Sequence, residues 1–316
     1  MFGSFAKVAL GALSLLMAAG STAYAKPSNI ETDVHTLRAF NLELPYVDEG
    51  FQMRNYDFGG DAVVNTLGYI RLTPDLPSRV GWVWSTVPLP EDYWKIEFEF
   101  KIGGKGGYLY GDGMGFFVTK ERASAGPVFG NRDYFNGLGV FFDTYPNGKH
   151  DFSTPFVMGM IGDGKTAYDG AHDGDANRLG MCEAYFRNLK SSTKVAVTYY
   201  KGHFINVQLK LQPKDKWINC FTITNATIPD GSYLGFTALT GEISDSHDLI
   251  SVHAETLRAE ALENYNFNPA MGMPAAPPVV SGSLFGFVFK LLLLVGVCAG
   301  VFVGYKKYST DSARRF

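Results

Sequence analysis

Residues 95–102 read Lys-Ile-Glu-Phe-Glu-Phe-Lys-Ile. Ile96, Phe98, Phe100 and Ile102 fall on one side of an extended chain and Lys95, Glu97, Glu99 and Lys101 on the other, a period of two that a helix does not produce. The stretch predicts a strand with one buried and one wet face. The alternation returns at Ile205, Val207, Leu209 and Leu211, interleaved with Asn206, Gln208 and Lys210. That strand follows residues 195–200 across Lys201-Gly202-His203, which predicts a hairpin. Further candidate strands are 69–72, 115–119, 138–142, 233–239 and 249–254. Short strands parted by Gly, Asn, Asp and Pro clusters, with no long amphipathic helix, predict an all-β sandwich in one domain spanning 26–258.

Composition narrows the class. The chain has 316 residues, 15% aromatic and 19% charged, a formal charge of -3 and three cysteines. It is too apolar for disorder, too neutral for a nucleic-acid platform and too poor in cysteine for a disulfide scaffold. Both ends stand apart from the sandwich. Residues 1–25 carry one charge, Lys7, then an apolar run and Ala23-Tyr24-Ala25, the layout of a secretory signal peptide. Residues 284–304 are apolar except for Lys290, long enough for a single transmembrane helix. Lys306, Lys307, Arg314 and Arg315 follow it, so the tail 305–316 is cytoplasmic and the bulk of the chain luminal, a type I topology. Subtracting Lys7, Lys290 and the tail's four cations and one carboxylate takes the formal charge from -3 to -8. The luminal part is therefore acidic.

Residues 259–283 hold Pro269, Pro274, Pro277 and Pro278 and predict a short extended stalk. Cys182 and Cys220 are the luminal cysteines, and an oxidising compartment predicts a disulfide between them. Asn225-Ala226-Thr227 is an N-glycosylation acceptor followed by a Pro229-Asp230-Gly231 turn.

The segment richest in chemistry is GLGVFFDTYPN at 137–147, an apolar strand running into Asp143, Tyr145 and Asn147. A carboxylate, a backbone carbonyl and a side-chain amide at i, i+2 and i+4 suit a hard cation such as calcium, and Asp173 could add a second carboxylate. A plain Asp-Pro-Asn hairpin turn explains the spacing equally well. Other loops keep it company: Ser78 in a Pro-rich turn, Asp112 in Gly111-Asp112-Gly113, and Gly241-Glu242-Ile243 after a strand.

Together, YIRLTPD at 69–75, GDGMGFFVTKE at 111–121, GPVFGN at 126–131, GLGVFFDTYPN at 137–147 and TGEISDSHDLIS at 240–251 resemble the leguminous-type (L-type) lectins. The likeness is to their animal and fungal membrane branch, the cargo receptors of early secretory traffic, and the short stalk is similar to the vesicular integral-membrane class. The resemblance implies a concanavalin-like jelly-roll β-sandwich that binds high-mannose N-glycans of glycoprotein cargo with Ca2+. By motif, Asp143, the Tyr145 carbonyl, Asn147 and Asp173 would hold the metal. Ser78, Asp112, Tyr145, Asn147, Gly241, Glu242 and Ile243 would meet the sugar, Asp112 in a turn with a cis peptide. The tail, ending Arg314-Arg315-Phe316, would be read by coat proteins. Two positions depart from the family pattern: Gly170 stands where a histidine follows Tyr-Asp, and Glu242 where the vesicular lectins carry aspartate. An enzyme of the same fold is disfavoured, because Glu97 and Glu99 belong to an ordinary wet face and no Gly-x-Ser-x-Gly or His-Glu-x-x-His occurs. A second reading keeps the fold and loses the sugar, leaving an escort that holds cargo by protein contacts.

Overall fold

In a computed structural model of the protein, residues 35–90, 92–148 and 152–256 are described. The expected signal peptide, stalk, membrane span and tail with Arg314, Arg315 and Phe316, and the expected outer limits of the luminal domain, lie outside them. Among the described residues no helix is long and apolar enough to cross a membrane.

Two antiparallel sheets face each other. The first runs, edge to edge, Ile218–Thr224, Phe204–Lys210, Thr193–Tyr200, Tyr93–Gly103, Ser246–Thr256, Tyr69–Thr73 and Val63–Asn65, with His35–Thr36 also paired to Ser246–Thr256. The second runs Gly180–Glu183, Phe156–Asp163, Asn136–Asp143, Gly113–Thr119, Tyr233–Leu239, Val80–Pro88 and Tyr56–Gly60. This is the all-β sandwich that the period-two stretches predict. The 195–200 strand and its partner form the expected hairpin, with Tyr200 opposite Phe204.

Tyr93–Gly103 alternates as its sequence requires: Ile96, Phe98, Phe100 and Ile102 are buried. Phe98 is the hub of the inter-sheet core, stacked on Phe116 at 5.3 Å between ring centres and edge-on to Phe236 at 5.1 Å and Phe142 at 5.8 Å. On the opposite face Glu97 pairs with Lys95, and Glu99 with Lys194 at 3.4 Å, the surface roles expected of them.

The second sheet differs, because its outer face is covered too. Trp84, Phe117, Phe129, Phe135, Phe141, Phe156, Met158 and Met160 form a separate buried cluster there. Every residue of Gly113–Thr119 is buried as a result. Cys182 and Cys220 form the predicted disulfide, with Cα atoms 5.2 Å apart. They lie on the edge strands of the two sheets, so the bond staples the layers along one side. Asn225 is exposed and sits in the left-handed region at φ 55°, on the turn after Ile218–Thr224.

Candidate functional site

Four stretches that lie far apart in sequence meet at one end of the second sheet. Val80 pairs with Leu239, Leu239 with Gly113, and Gly113 with Asp143, so the four form one row across adjacent strands. Just beyond the row lie Ser78, Gly241, Asp112 and the 144–147 loop. The Ser78 N–H donates to the Gly241 carbonyl at 2.8 Å. A Cβ on Gly241 would stand 3.3 Å from both carboxylate oxygens of Asp112, so the missing side chain leaves room beside that acid.

Asp112 follows a cis peptide, Gly111-Asp112, as the family resemblance implies. Its carbonyl accepts from both the N–H and the hydroxyl of Thr144, at 2.9 and 3.0 Å, while its own N–H donates to Leu239. A Cβ at Gly111 would lie 2.7 Å from that of Tyr145, so the Tyr145 side chain rests against the Asp112 turn. Gly113 is required by the row itself: its φ is +153°, and a Cβ would fall 2.4 Å from the Phe142 carbonyl.

The acidic pair sits beside this turn. Asp143 and Asp173 are 3% and 1% exposed. Tyr145 N–H donates to Asp143 Oδ1 at 2.9 Å, and Asn147 N–H to both Asp173 oxygens at 3.0 and 2.9 Å. Asp173 reaches this end by way of a loop that crosses the outer face of the sheet. Tyr168 anchors that crossing edge-on to Phe141 and Phe129 at 5.2 and 5.9 Å, and Gly174 tucks under Met158 and Tyr168. The outer aromatic cluster is thus what carries Asp173 to Asn147.

Burial, and then the charge of Asp173, hold the Asp143 carboxyl well above the usual carboxylate range; Asp112 adds to the rise and the Tyr145 N–H opposes it. Burial raises Asp112 to about 6. Tyr168 is pushed up by burial and by Asp143, Asp173 and Asp169 together. The charged groups that act on Asp143 are all acids, which is the environment a divalent cation relieves. Among the described residues no cluster of three or more His, Cys, Asp and Glu side chains could hold a metal. The candidate set needs none, since it comprises two carboxylates, one carbonyl and one amide, all hard oxygen donors that fit calcium.

Glu242 is exposed and Ile243 half-buried in the loop after Gly241. Gly170 is exposed, and the ring of His172, two residues on, turns to Asp169, with Nδ1 at 3.0 Å from Oδ1. Thr144 and Arg187, to which no sequence motif assigns a role, bond to residues of these loops, Thr144 to the Asp112 carbonyl and Arg187 to Asp245 and the Gly106 carbonyl. A cleft of about 320 Å³ lined by Arg38, Glu43, Tyr46 and Arg54 among others shares no residue with the site. The candidate site is a set of loops at a sheet end and not that cleft.

Comparison with known proteins matches residues 33–264 to the pattern of the Legume-like lectin family. The chain belongs to the legume-like lectin family. This legume-like lectin is 35% identical over 298 residues to the VIP36-like protein of Mus musculus, covering 88% of this chain and 85% of that protein. It is 36% identical over 314 residues to the vesicular integral-membrane protein VIP36 of Homo sapiens, covering 92% and 87%. The solved VIP36 exoplasmic/lumenal domain in its Ca2+/Man3GlcNAc-bound form superposes with a TM-score of 0.67 at 37% identity, covering 71% of this chain and 92% of that one. A legume-like lectin is a carbohydrate-binding protein and not an enzyme.

Proposed function

We propose that this legume-like lectin is a calcium-dependent receptor for the high-mannose N-glycans of glycoprotein cargo. It acts as a single-pass type I membrane protein of the early secretory pathway, between endoplasmic reticulum and Golgi, with its lectin domain luminal. The observation that carries the reading is the strand-end row, which sets Asp112 against Gly241 one strand away from the buried Asp143 and its partner Asp173. The likeness to VIP36, whose luminal domain has been solved with Ca2+ and Man3GlcNAc, supports it.

Asp143, the Tyr145 carbonyl, Asn147 and Asp173 hold calcium in this reading. The ion, when bound, neutralises the acidic pair and fixes the 143–147 loop. Asp112 accepts hydrogen bonds from mannose hydroxyls, Asn147 donates, Ser78 assists, and the Tyr145 ring offers an apolar face. Gly241, Glu242 and Ile243 form the wall that selects outer residues. Arg314, Arg315 and Phe316 engage coat proteins on the cytoplasmic side, and Asn225 carries a glycan of its own.

A mannose-glycan array with and without calcium tests the proposal. Binding that requires calcium, and that Asp112→Asn weakens at least tenfold, is the expected result. A folded protein that binds nothing under either condition sinks it. One observation favours a second reading, an escort that holds cargo by protein contacts: Gly170 offers no side chain and His172 is engaged by Asp169. Cargo capture that persists with the array blank would select that alternative.

A further inference from the structure

Behind the sugar-facing loops lies a charged side chain that the function proposed above does not use. Arg187 is 9% exposed and its partner Asp245 is fully buried. The guanidinium donates Nε to Asp245 Oδ2 at 2.7 Å and Nη2 to Asp245 Oδ1 at 2.8 Å, the bidentate fork that fixes a carboxylate in angle as well as distance. Nη2 also donates to the Gly106 carbonyl at 2.8 Å, and the guanidinium lies 3.6 Å from the centre of the Tyr110 ring. One side chain therefore grips two loops, 104–110 through Gly106 and Tyr110, and 241–245 through Asp245.

The contacts around it act in the same sense. Asp75 accepts from Lys105 N–H at 3.0 Å and from the Ser244 hydroxyl at 2.7 Å, tying the same two loops a second time. Asn188, next to Arg187, exchanges hydrogen bonds with Gly104 at 3.1 and 3.2 Å. A Cβ at Gly104 would fall 2.4 Å from Asp245 Oδ1, so the loop closes over the pair only as glycine.

We propose that Arg187 is a positioning residue that locks the loop leading into Asp112 to the loop bearing Glu242 and Ile243, and so sets the width of the saccharide site. Burying an ion pair to hold two loops brings little net stability, because desolvation offsets the attraction; what it brings is geometry. The residue acts through its partners and does not touch sugar. The inference rests on the lectin reading for its consequence, whereas the locking of the loops stands apart from it.

The test uses full-length protein purified in detergent, as wild type, Arg187→Lys, and the paired replacement Arg187→Met with Asp245→Leu, which avoids stranding a buried charge. Calorimetry measures affinity for methyl α-mannoside, for a dimannoside and for calcium; hydrogen exchange follows amides 104–111, 143–147 and 241–246. Both variants are expected to bind the dimannoside at least tenfold more weakly with calcium affinity within twofold of wild type. Exchange should rise in 104–111 and 241–246 together and stay unchanged in 143–147. Unchanged dimannoside affinity, a calcium loss equal to the sugar loss, or faster exchange in one loop alone would overturn the proposal. If the wild type binds no mannoside, the lectin reading falls, and the exchange data still decide whether Arg187 locks the loops.

Discussion

Gly170 is one of the two positions at which this chain departs from the pattern that the resemblance implies. The position is open: a Cβ there would meet Tyr168 ring carbons at 3.8 and 3.9 Å, ordinary contact distance. Gly170→His is therefore expected to fold normally. It should tighten binding of methyl α-mannoside severalfold, the worth of about 1 kcal/mol for one added hydrogen bond, with calcium affinity unchanged. Calorimetry on the two proteins checks it. Two titrating groups make a second prediction. Burial raises Asp112 to about 6, so its contribution to stability is complete below the ordinary value of 3.8 and is lost as pH rises through about 6. His247, buried beside the Thr73 hydroxyl at 2.7 Å, is lowered to about 3, so its contribution is present above 6.5 and is lost as pH falls toward 3. Between pH 7 and 5 the two oppose each other. Asp112→Asn removes the first and leaves the second, so in chelator the variant should lose of the order of 1 kcal/mol more than wild type on acidification from 7 to 5. Melting curves at the two pH values read the difference, and equal shifts would refute the assignment. At this scale Asp143, Tyr145 and Asn147 were legible because they share one short motif. Thr144 and Arg187 were not, since they act on partners between 32 and 81 residues distant.

Covering both faces of a strand removes its alternation; 115–119, 138–142 and 233–239 still show as short apolar runs, whereas two other strands of the same sheet do not. Tyr93–Gly103 has one wet face, so its residues alternate and its boundaries can be read. Phe156–Asp163, FVMGMIGD, lies in the sheet covered on both sides; nearly all of it is buried, the period vanishes, and nothing in the sequence separates it from a buried helix turn. Val80–Pro88 escaped for the same reason, with Val83 in the inter-sheet core and Trp84 in the outer cluster. The hub role of Phe98 yields a prediction for the element. Phe98→Ala leaves a void among Phe116, Phe142 and Phe236 that a sandwich cannot close without shifting whole strands. A loss of about 3–5 kcal/mol is expected by urea denaturation. A loss below 1 kcal/mol would mean that the core relaxes around the gap.

For the whole molecule the partition of charge and apolarity spoke first: an acidic body between an apolar start and an apolar stretch followed by cations. What the sequence did not disclose is that the disulfide joins the two sheets at their edges. Replacing Cys182 and Cys220 with alanine removes that staple and frees the chain between them, a separation of 38 residues. The double variant is expected to lose about 3–4 kcal/mol, and its melting temperature should fall accordingly. An unchanged melting temperature would show that packing alone holds the layers.

The row of Val80, Leu239, Gly113 and Asp143 has one further consequence for how the chain matures. Register in a sheet is quantised: a slip of one residue turns every side chain on that strand to the opposite face. The same slip would carry Asp143 out of the row and shift Asp112 or Gly241 from its place just beyond it. Burying the aromatics and assembling the binding loops are therefore one event rather than two. A newly made chain that has mispaired a strand displays no partial or weakened site; it displays none, and cannot engage a ligand before its own folding is finished.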